Sequence, residues 1–391
     1  MNFDQIVERR GTNSYKWDLG EKLFGSAEVL PLWVADMDFP APEEVQRAFS
    51  ERVAHGVFGY NVKPQSTMDS ILAWLKNRHG WEVPQAWVSS SPSVLTSLAL
   101  LLEIYTEPGD EVILQTPVYH AFFGIIRGNG RKVVENPLRC QNGRYIMDYE
   151  DLEEKLKVGA KVLVLCSPHN PVGRVWEPEE LRKVGELCLK YNVPVISDEI
   201  HFDLVMRGHR HTMFSSLSDE VAQNSVTLFS ITKTFNLAGI HTSTAVIPND
   251  TVRRQFTARL NALNLGGEST FAPIATEAVY TEGVQWLDQL REYVQGNYDY
   301  LREFVAERMP QIKVMPLEAT YLAWLDVRSL GMSGEELKAW MYQKAKVALN
   351  EGSAFGKNGE GFLRLNLACP RAVLVEGLNR MKTALVEKTS M

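Results

Sequence analysis

The sequence has little of what marks membrane, secreted or nucleic-acid-binding proteins. Only four of its 391 residues are cysteine, and no two form a CxxC motif, so neither a disulfide framework nor a cysteine-ligated zinc site is expected. No run of about 18 apolar residues occurs, and residues 1–10 carry several charged side chains instead of the apolar core of a signal peptide. The net charge is -7 and no Lys/Arg block is present, which leaves no electrostatic footprint for nucleic acid or anionic lipid. These absences predict a cytoplasmic protein with reduced thiols.

The length and composition that remain predict two globular domains. Hydrophobic residues make up 45% and charged residues 23% of the chain, and 391 residues exceed the roughly 250 to 300 at which a single core stops growing. Between about residues 85 and 250, short apolar runs alternate with amphipathic segments, as expected for helices covering a mostly parallel sheet. The predicted strands are 111–115, 132–134, 161–166, 193–197, 226–229 and 244–247. A long helix is predicted over 282–309, ending before Pro310, and the elements beyond it indicate a smaller α+β domain.

One lysine, Lys233, lies among hydroxyl side chains directly after the strand predicted at 226–229. Burial there disfavours the ammonium form, which is how proteins obtain an amine that forms a Schiff base with an aldehyde. Ser230 and Thr232 supply hydroxyl groups that can donate hydrogen bonds to a phosphate. Together these residues indicate pyridoxal phosphate (PLP), a cofactor that carries both an aldehyde and a phosphate.

Polar groups also follow two other strands of the predicted sheet. The segments are 167–171 (SPHNP) and 197–201 (SDEIH). Taken alone, each has an ordinary structural explanation, such as a turn, a helix cap or a solvated charge. Because ligands of open α/β sheets lie beyond the carboxyl ends of the strands, we expect both segments to meet Lys233 in one pocket. A third feature, the start of an apolar helix after Ser93, offers unpaired N–H groups that suit an anion.

These motifs carry a family resemblance that covers nearly the whole chain. The segments SPHNPVG at 167–173, DEIH at 198–201 and KTFNLAG at 233–239 resemble the fold-type-I PLP enzymes of the class I/II aminotransferase superfamily. Within it, LWVADMDF at 32–39, FGY at 58–60 and RLN at 364–366 are similar to the MalY/PatB group of carbon–sulfur beta-lyases. The resemblance implies a large domain at 46–285 with a mostly parallel seven-stranded sheet covered by helices. It also implies a smaller α+β domain at 286–391 and an N-terminal arm at 1–45 that packs with the small domain.

The resemblance further implies roles for individual residues. Lys233 binds the cofactor and removes the substrate α-proton, Asp198 pairs with the pyridine nitrogen, and Tyr119 stacks on one ring face and assists proton transfer. The implied substrate contacts are Arg364 and the backbone around Ala35 at the α-carboxylate, together with Asn170. The other implied cofactor contacts are Asn170 at the ring 3-oxygen, Ile200 on the second ring face, Ser93, Val94, Leu95, Ser230 and Thr232 at the phosphate, and Tyr60 from the neighbouring subunit of a homodimer.

The reaction is indicated by His241, eight residues after Lys233. Many aminotransferases carry a phosphate-binding arginine there, so a weakly basic side chain favours the lyases. We therefore expect beta-elimination from L-cystathionine, L-cystine or cysteine S-conjugates, giving a thiol, pyruvate and ammonia. An aminotransferase stays open as an alternative, as does a regulatory binding protein with residual lyase activity. His209 and His211 have no accompanying cysteine or carboxylate cluster, so no metal is expected.

Overall fold

Seven strands form the central sheet of the structure, a computed structural model that describes residues 1–389. The strands are β2 (Val88–Ser91), β3 (Glu111–Leu114), β4 (Lys132–Glu135), β7 (Val162–Cys166), β8 (Val195–Asp198), β9 (Ser225–Phe229) and β10 (Ser243–Val246). Their spatial order is β2-β10-β9-β8-β7-β3-β4, and all neighbours pair in parallel except β10, which is antiparallel to β9 and β2. The prediction of a mostly parallel seven-stranded sheet is confirmed.

Helices cover both faces of this sheet. They are α3 (Glu43–His55), α4 (Gln65–His79), α5 (Val94–Tyr105), α6 (Ala121–Gly128), α7 (Tyr149–Val158), α8 (Pro178–Lys190), α9 (Asp219–Gln223), α10 (Ile231–Thr234), α11 (Asp250–Ala262) and α12 (Phe271–Glu282). Every residue of β7 is buried, and consecutive side chains enter different cores: Leu163 packs with α7 and α8, whereas Val164 packs with α5 and α11. A strand covered on both faces has to be apolar throughout, which explains its unbroken apolar sequence.

The long helix predicted over 282–309 is interrupted at its first turn. Helix α12 ends at Glu282, and α13 (Val284–Arg308) begins after Gly283. A Cβ atom at residue 283 would lie 2.6 Å from the carbonyl oxygen of Val279, so only glycine fits this close junction. The end of α13 at Arg308 agrees with the stop expected before Pro310.

The C-terminal part is a smaller α+β unit, as predicted. Its sheet has the order β11-β12-β15-β14 and is antiparallel. Its elements are β11 (Lys313–Val314), β12 (Leu322–Asp326), α14 (Gly334–Ala339), β13 (Val347–Ala348), β14 (Asn350–Glu351), β15 (Phe362–Asn366) and α15 (Arg371–Thr389). The chain also forms α1 (Tyr15–Asp18), α2 (Gly20–Phe24), β1 (Leu30–Pro31) and a hairpin of β5 (Arg139–Gln141) and β6 (Arg144–Ile146).

The N-terminal segment is attached to the C-terminal unit through β1, which pairs in parallel with β13. A cluster of four charged side chains fixes its following loop: Arg9 contacts Asp36 at 2.7 Å and Asp38 at 2.6 Å, and the buried Lys16 contacts Asp38 at 2.7 Å. Lys16 and Asp38 are buried, so removing either of them leaves the other charge unpaired at a cost of about 3 to 5 kcal/mol. The cluster therefore holds residues 33–38 in place. The domain boundaries at 45 and 285 stay predictions. In the described part of the chain, no helix is both long and apolar enough to cross a lipid bilayer.

Candidate active site

A cavity of about 310 Å³ lies at the carboxyl ends of β7, β8 and β9. Its lining includes the last residue of β7, Cys166, and the last residue of β8, Asp198, and Lys233 enters from α10, which follows β9. The structure brings these predicted site residues to its wall: Ala35, Ser93, Val94, Leu95, Tyr119, Asn170, Asp198, Ile200, Thr232 and Lys233. The convergence expected from the strand ends is therefore present.

Lys233 is held on a single helical turn. The side chain of Ser230 caps this turn by accepting a hydrogen bond from the backbone N–H of Thr232 at 3.1 Å. The amine of Lys233 donates a hydrogen bond to the carbonyl oxygen of Ala35 at 2.5 Å. Loss of hydration lowers the pKa of Lys233 to about 8, with the Asp36 carboxylate opposing this shift and the Arg364 guanidinium adding to it. A neutral, nucleophilic amine is therefore available within a unit or so of neutral pH.

Asp198 is a buried carboxyl group with little to stabilise its charge. Burial raises its pKa to about 7, while a hydrogen bond from the backbone N–H of Ile200 at 3.1 Å acts in the opposite direction. Within residues 1–389 no cationic nitrogen lies within 4.0 Å of this carboxylate. Its neighbour Glu199 adds to the rise and turns away to pair with His211 at 2.6 Å. Asp198 thus offers a strong site for a cationic or proton-bearing ring nitrogen.

Arg364, on β15, presents a guanidinium group fixed by neutral partners. It donates to Oδ1 of Asn170 at 3.0 Å, to Oδ1 of Asn350 at 2.7 Å and to the carbonyl oxygen of Trp33 at 3.1 Å. Its Nε is buried and makes no hydrogen bond to any described residue. Burial lowers its pKa to about 10, so it stays protonated at neutral pH with its charge uncompensated. An oriented, uncompensated guanidinium of this kind suits a carboxylate.

One end of the cavity is formed by the N-terminus of α5. Ser93 caps this helix, its Oγ accepting from the N–H of Thr96 at 3.0 Å, and Val94 and Leu95 begin the first turn. The free N–H groups and the dipole of a 12-residue helix attract an anion there, although the dipole contributes only about 0.3 to 1 kcal/mol. The hydroxyl of Ser230 is already used, because it donates to the carbonyl oxygen of Thr242 at 2.5 Å.

Two further predicted residues, Tyr119 and Ile200, line the same cavity. Tyr119, just before α6, packs edge-on against Phe122 with ring centroids 5.5 Å apart, and burial raises the pKa of its phenol. Ile200 follows β8, and both side chains pack against the same hydrophobic core. Tyr60 is not brought to this cavity, because its side chain is fully exposed in the single chain.

Two residues of the cavity wall, Cys166 and Thr242, were not predicted. His201 and His241, which the sequence placed near Lys233, line the cavity as well. The signal for Cys166 was its place at the end of a predicted strand. Tyr321 donates a hydrogen bond to the carbonyl oxygen of Ala35 at 2.9 Å, the same oxygen that Lys233 contacts. No local pattern could have placed Tyr321 there, because it comes from the C-terminal unit.

Comparison with known proteins identifies the family of the chain. The model of the family "Aminotransferase class I and II" matches residues 29–381. Cystathionine beta-lyase PatB of Bacillus subtilis (strain 168) is 47% identical over 386 residues, which cover 98% of this chain and 100% of that protein. Cystalysin from Treponema denticola, whose structure contains a pyridoxal 5′-phosphate cofactor, has a TM-score of 0.96 at 36% identity, with 99% of both chains covered. The PLP-bound C–S lyase from Staphylococcus hominis has a TM-score of 0.92 at 31% identity, with 99% of this chain and 98% of that one covered. The chain belongs to the aminotransferase class I and II family.

Proposed function

We propose that the protein is a PLP-dependent carbon–sulfur beta-lyase that releases a thiol, pyruvate and ammonia from sulfur amino acids. One observation carries the proposal: an amine with a pKa of about 8 at Lys233 lines the same cavity as a carboxyl group without a cationic partner, Asp198. The similarity over the full chain to a cystathionine beta-lyase and to a PLP-bound C–S lyase supports the same assignment.

The residues of the cavity fit PLP. Asp198 has no cationic side chain within ion-pair distance among the described residues, which suits a protonated pyridine nitrogen, and the N-terminus of α5 in the same cavity suits a phosphate. When bound, the cofactor supplies an aldehyde carbon for Lys233 and a ring that accepts electrons from the substrate α-carbon. The remaining contacts that we propose for it are Asn170 at the ring 3-oxygen, Tyr119 and Ile200 at the two ring faces, and Ser93, Val94, Leu95 and Thr232 around the phosphate. Ser230, expected there from the sequence, is left out because its only hydroxyl proton is donated to Thr242.

The substrate is proposed to bind through its α-carboxylate. The guanidinium of Arg364 has a free Nε–H, and its hydrogen bond to Asn170 at 3.0 Å helps to fix its orientation. The Ala35 loop adds backbone groups next to Lys233. With the carboxylate held in this way, the neutral amine of Lys233 removes the proton from the α-carbon, and the bond from the β-carbon to sulfur breaks as the thiolate leaves. We propose that Tyr119, which lines the cavity, assists transfer of a proton to that sulfur.

The active protein is proposed to be a homodimer. Tyr60 is fully exposed, and the apolar side chains of Val57, Phe58 and Val62 on the same loop are exposed as well. Such a contiguous apolar loop is typical of a subunit interface. We propose that it places Tyr60 at the phosphate of the neighbouring subunit, so that each site is completed across the dimer. We also propose functional units at 1–45, 46–285 and 286–391.

A lyase and an aminotransferase differ in that only the aminotransferase requires a second substrate. His241 lines the cavity at the position where many aminotransferases carry a phosphate-binding arginine. A lyase forms pyruvate from cystathionine, cystine or S-alkyl cysteines alone, whereas an aminotransferase needs a 2-oxo acid acceptor. The test is to measure pyruvate and thiol release for each substrate with and without that acceptor. Product that depends on the acceptor would establish transamination instead.

The role of Lys233 is tested by the variant Lys233→Ala. We expect loss of pyruvate release and loss of the visible absorption of lysine-bound PLP, because no other lysine lines the cavity among the described residues. Lys190, an exposed lysine on α8 that pairs with Glu153 at 2.7 Å and does not line the cavity, provides a matched control as Lys190→Ala. Unchanged turnover in Lys233→Ala would refute the assignment.

A further inference from the structure

A second and wider cleft, of about 760 Å³, is separate from the candidate active site. It lies between α4, the segment 202–211 and the helices α12 and α13, and it shares no lining residue with the first cavity. Its floor is aromatic: Trp74 stacks on Tyr280 with ring centroids 4.8 Å apart. The hydroxyl of Tyr280 is buried and has no hydrogen-bond partner in the described chain. The cleft therefore has a packed aromatic wall that contains one polar group without a hydrogen-bond partner among the described residues.

The charges around this cleft are unevenly paired. Three arginines line it, Arg78, Arg210 and Arg291, against two carboxylates, Asp203 and Asp288. A single oxygen of Asp288 serves two of these arginines, at 2.7 Å from Arg78 and 3.4 Å from Arg291. Burial and the nearby charge of Arg78 lower the pKa of Arg291, which is what a guanidinium close to a like charge shows. The other carboxylate, Asp203, is buried, lies 3.7 Å from Nε of Arg78 and accepts hydrogen bonds from Trp74 and Thr234.

The third arginine is free. Arg210 is exposed beside Gly80, at the C-terminal end of α4, and it makes no ion pair or hydrogen bond to any residue in the range 1–389. Its unpaired charge stands out in a chain whose net charge is -7. His209 and Asn77, which also line the cleft, add further polar side chains at the rim. A negatively charged ligand here would relieve the repulsion between Arg78 and Arg291 and give Arg210 a partner.

We propose that this cleft is a second ligand-binding site, which takes a small anion carrying two negative charges between Arg78, Arg210 and Arg291. The shared chemistry is that of a phosphate group or a compact dicarboxylate, because guanidinium groups bind both through paired N–H donors. The aromatic floor formed by Trp74 and Tyr280 adds room for an apolar body attached to the anion. This site is independent of the proposed lyase reaction, so neither proposal depends on the other.

The test is calorimetric titration of the PLP-loaded protein with inorganic phosphate and, separately, with succinate, at constant ionic strength. We expect saturable binding of at least one of them with a dissociation constant of about 1 mM or tighter. Arg210→Gln should weaken binding about fivefold, and Arg210→Glu should weaken it further by adding a repulsive charge. Because Arg210 is exposed and unpaired, neither change should disturb folding. The two anions distinguish a phosphate site from a carboxylate site.

Two control variants locate the binding. Arg127→Gln removes another exposed arginine, which forms no ion pair with a described residue and lies outside the cleft, so affinity should stay unchanged. Arg364→Gln removes the carboxylate site proposed for the substrate and should leave cleft binding intact. The proposal is overturned if neither anion saturates, if the Arg210 variants bind as the parent does, or if Arg364→Gln abolishes the signal. None of these readouts requires turnover, so failure of the lyase assignment would leave them interpretable.

Discussion

Asp203 accepts a hydrogen bond from the hydroxyl of Thr234 at 3.0 Å, which ties the turn that carries Lys233 to the segment 202–211. The other oxygen of the carboxylate accepts from the indole N–H of Trp74 at 3.1 Å and lies 2.8 Å from Nε2 of His79. Asp203 and Thr234 are both buried. Because both carboxylate oxygens are engaged away from water, the group holds the backbone next to Lys233 without lining its cavity.

The variant Asp203→Asn is expected to destabilise the protein by about 2 to 3 kcal/mol. The amide has the same shape, but its N–H₂ group replaces one of the two acceptor oxygens. The groups that donated to this oxygen then have no acceptor, and buried donors left unpaired destabilise the folded state. Thr234→Val removes one hydrogen bond and should cost only about 1 kcal/mol. Urea unfolding of the PLP-loaded variants measures both losses. Asp219→Asn, at an exposed carboxylate, is the control and should change stability by at most about 0.5 kcal/mol. Equal stability of Asp203→Asn and the parent would contradict this account.

The lowered pKa of Lys233 predicts how uptake of PLP by the cofactor-free protein depends on pH. Only the neutral amine attacks the aldehyde, and its fraction rises about tenfold per pH unit until the pH passes the pKa. Desolvation lowers that pKa to about 8 from an ordinary value of 10.5, so the rate should rise up to about pH 8 and then level off. Stopped-flow absorbance at the band of lysine-bound PLP follows this rate. A rate that is still rising near pH 10 would show an unperturbed lysine.

The charge of Asp36 supplies a matched variant for that measurement. Its carboxylate raises the pKa of Lys233 against the larger effect of burial, so Asp36→Asn should move the midpoint to lower pH. Asp36 also pairs with Arg9 at 2.7 Å, and Arg9→Gln is therefore the control that breaks the same pair without removing the negative charge. A midpoint lowered only in Asp36→Asn separates the electrostatic effect from loosening of the N-terminal loop.

The parts of the site that could be predicted are those fixed by local sequence. Asp198 and Lys233 follow strands whose apolar runs are continuous, and parallel strands end at the same edge of a sheet, so their convergence was predictable. The N-terminus of α5 was predictable for the same reason, because Ser93 precedes an apolar helix. For these residues, the strand or helix next to them in sequence determines where they lie in the fold.

The parts that could not be predicted depend on contacts between distant segments. Strand β2 has the sequence Val-Ser-Ser-Ser, and a run of serines does not predict a strand. Its antiparallel pairing with β10 identifies it as one. Asp203 looks like an ordinary polar residue until Thr234 and Trp74 are seen to donate to it. Tyr321 reaches Ala35 only because the N-terminal loop packs against the C-terminal unit. Nothing in the local pattern around these residues encodes their partners.

The fixed geometry around Arg364 predicts that lysine cannot replace it. Its guanidinium keeps three hydrogen bonds to neutral acceptors, whereas an ammonium is a point charge without the planar arrangement of donors. Arg364→Lys should lower kcat/KM for cystathionine roughly 10- to 100-fold, in line with the loss of a charge-assisted pair. PLP content, read from absorbance, should stay the same. A substrate analogue without the α-carboxylate should show no difference between parent and variant, and an equal loss with that analogue would point to general damage.

Exchange of subunits tests whether Tyr60 acts across the dimer. In a hybrid of one Lys233→Ala subunit and one Tyr60→Ala subunit, a tyrosine that acts in its own subunit leaves both sites defective. If it acts on the neighbour, the intact Lys233 meets the intact Tyr60 of the other subunit, and one complete site forms. The exposure of Tyr60, away from its own cavity, leads us to expect the second result. Differently tagged variants, mixed and purified as the hybrid, should then recover about half of the parent activity per dimer, because one of two equivalent sites is restored. Lyase activity no higher than that of the separate variants would place Tyr60 in its own subunit or outside the site.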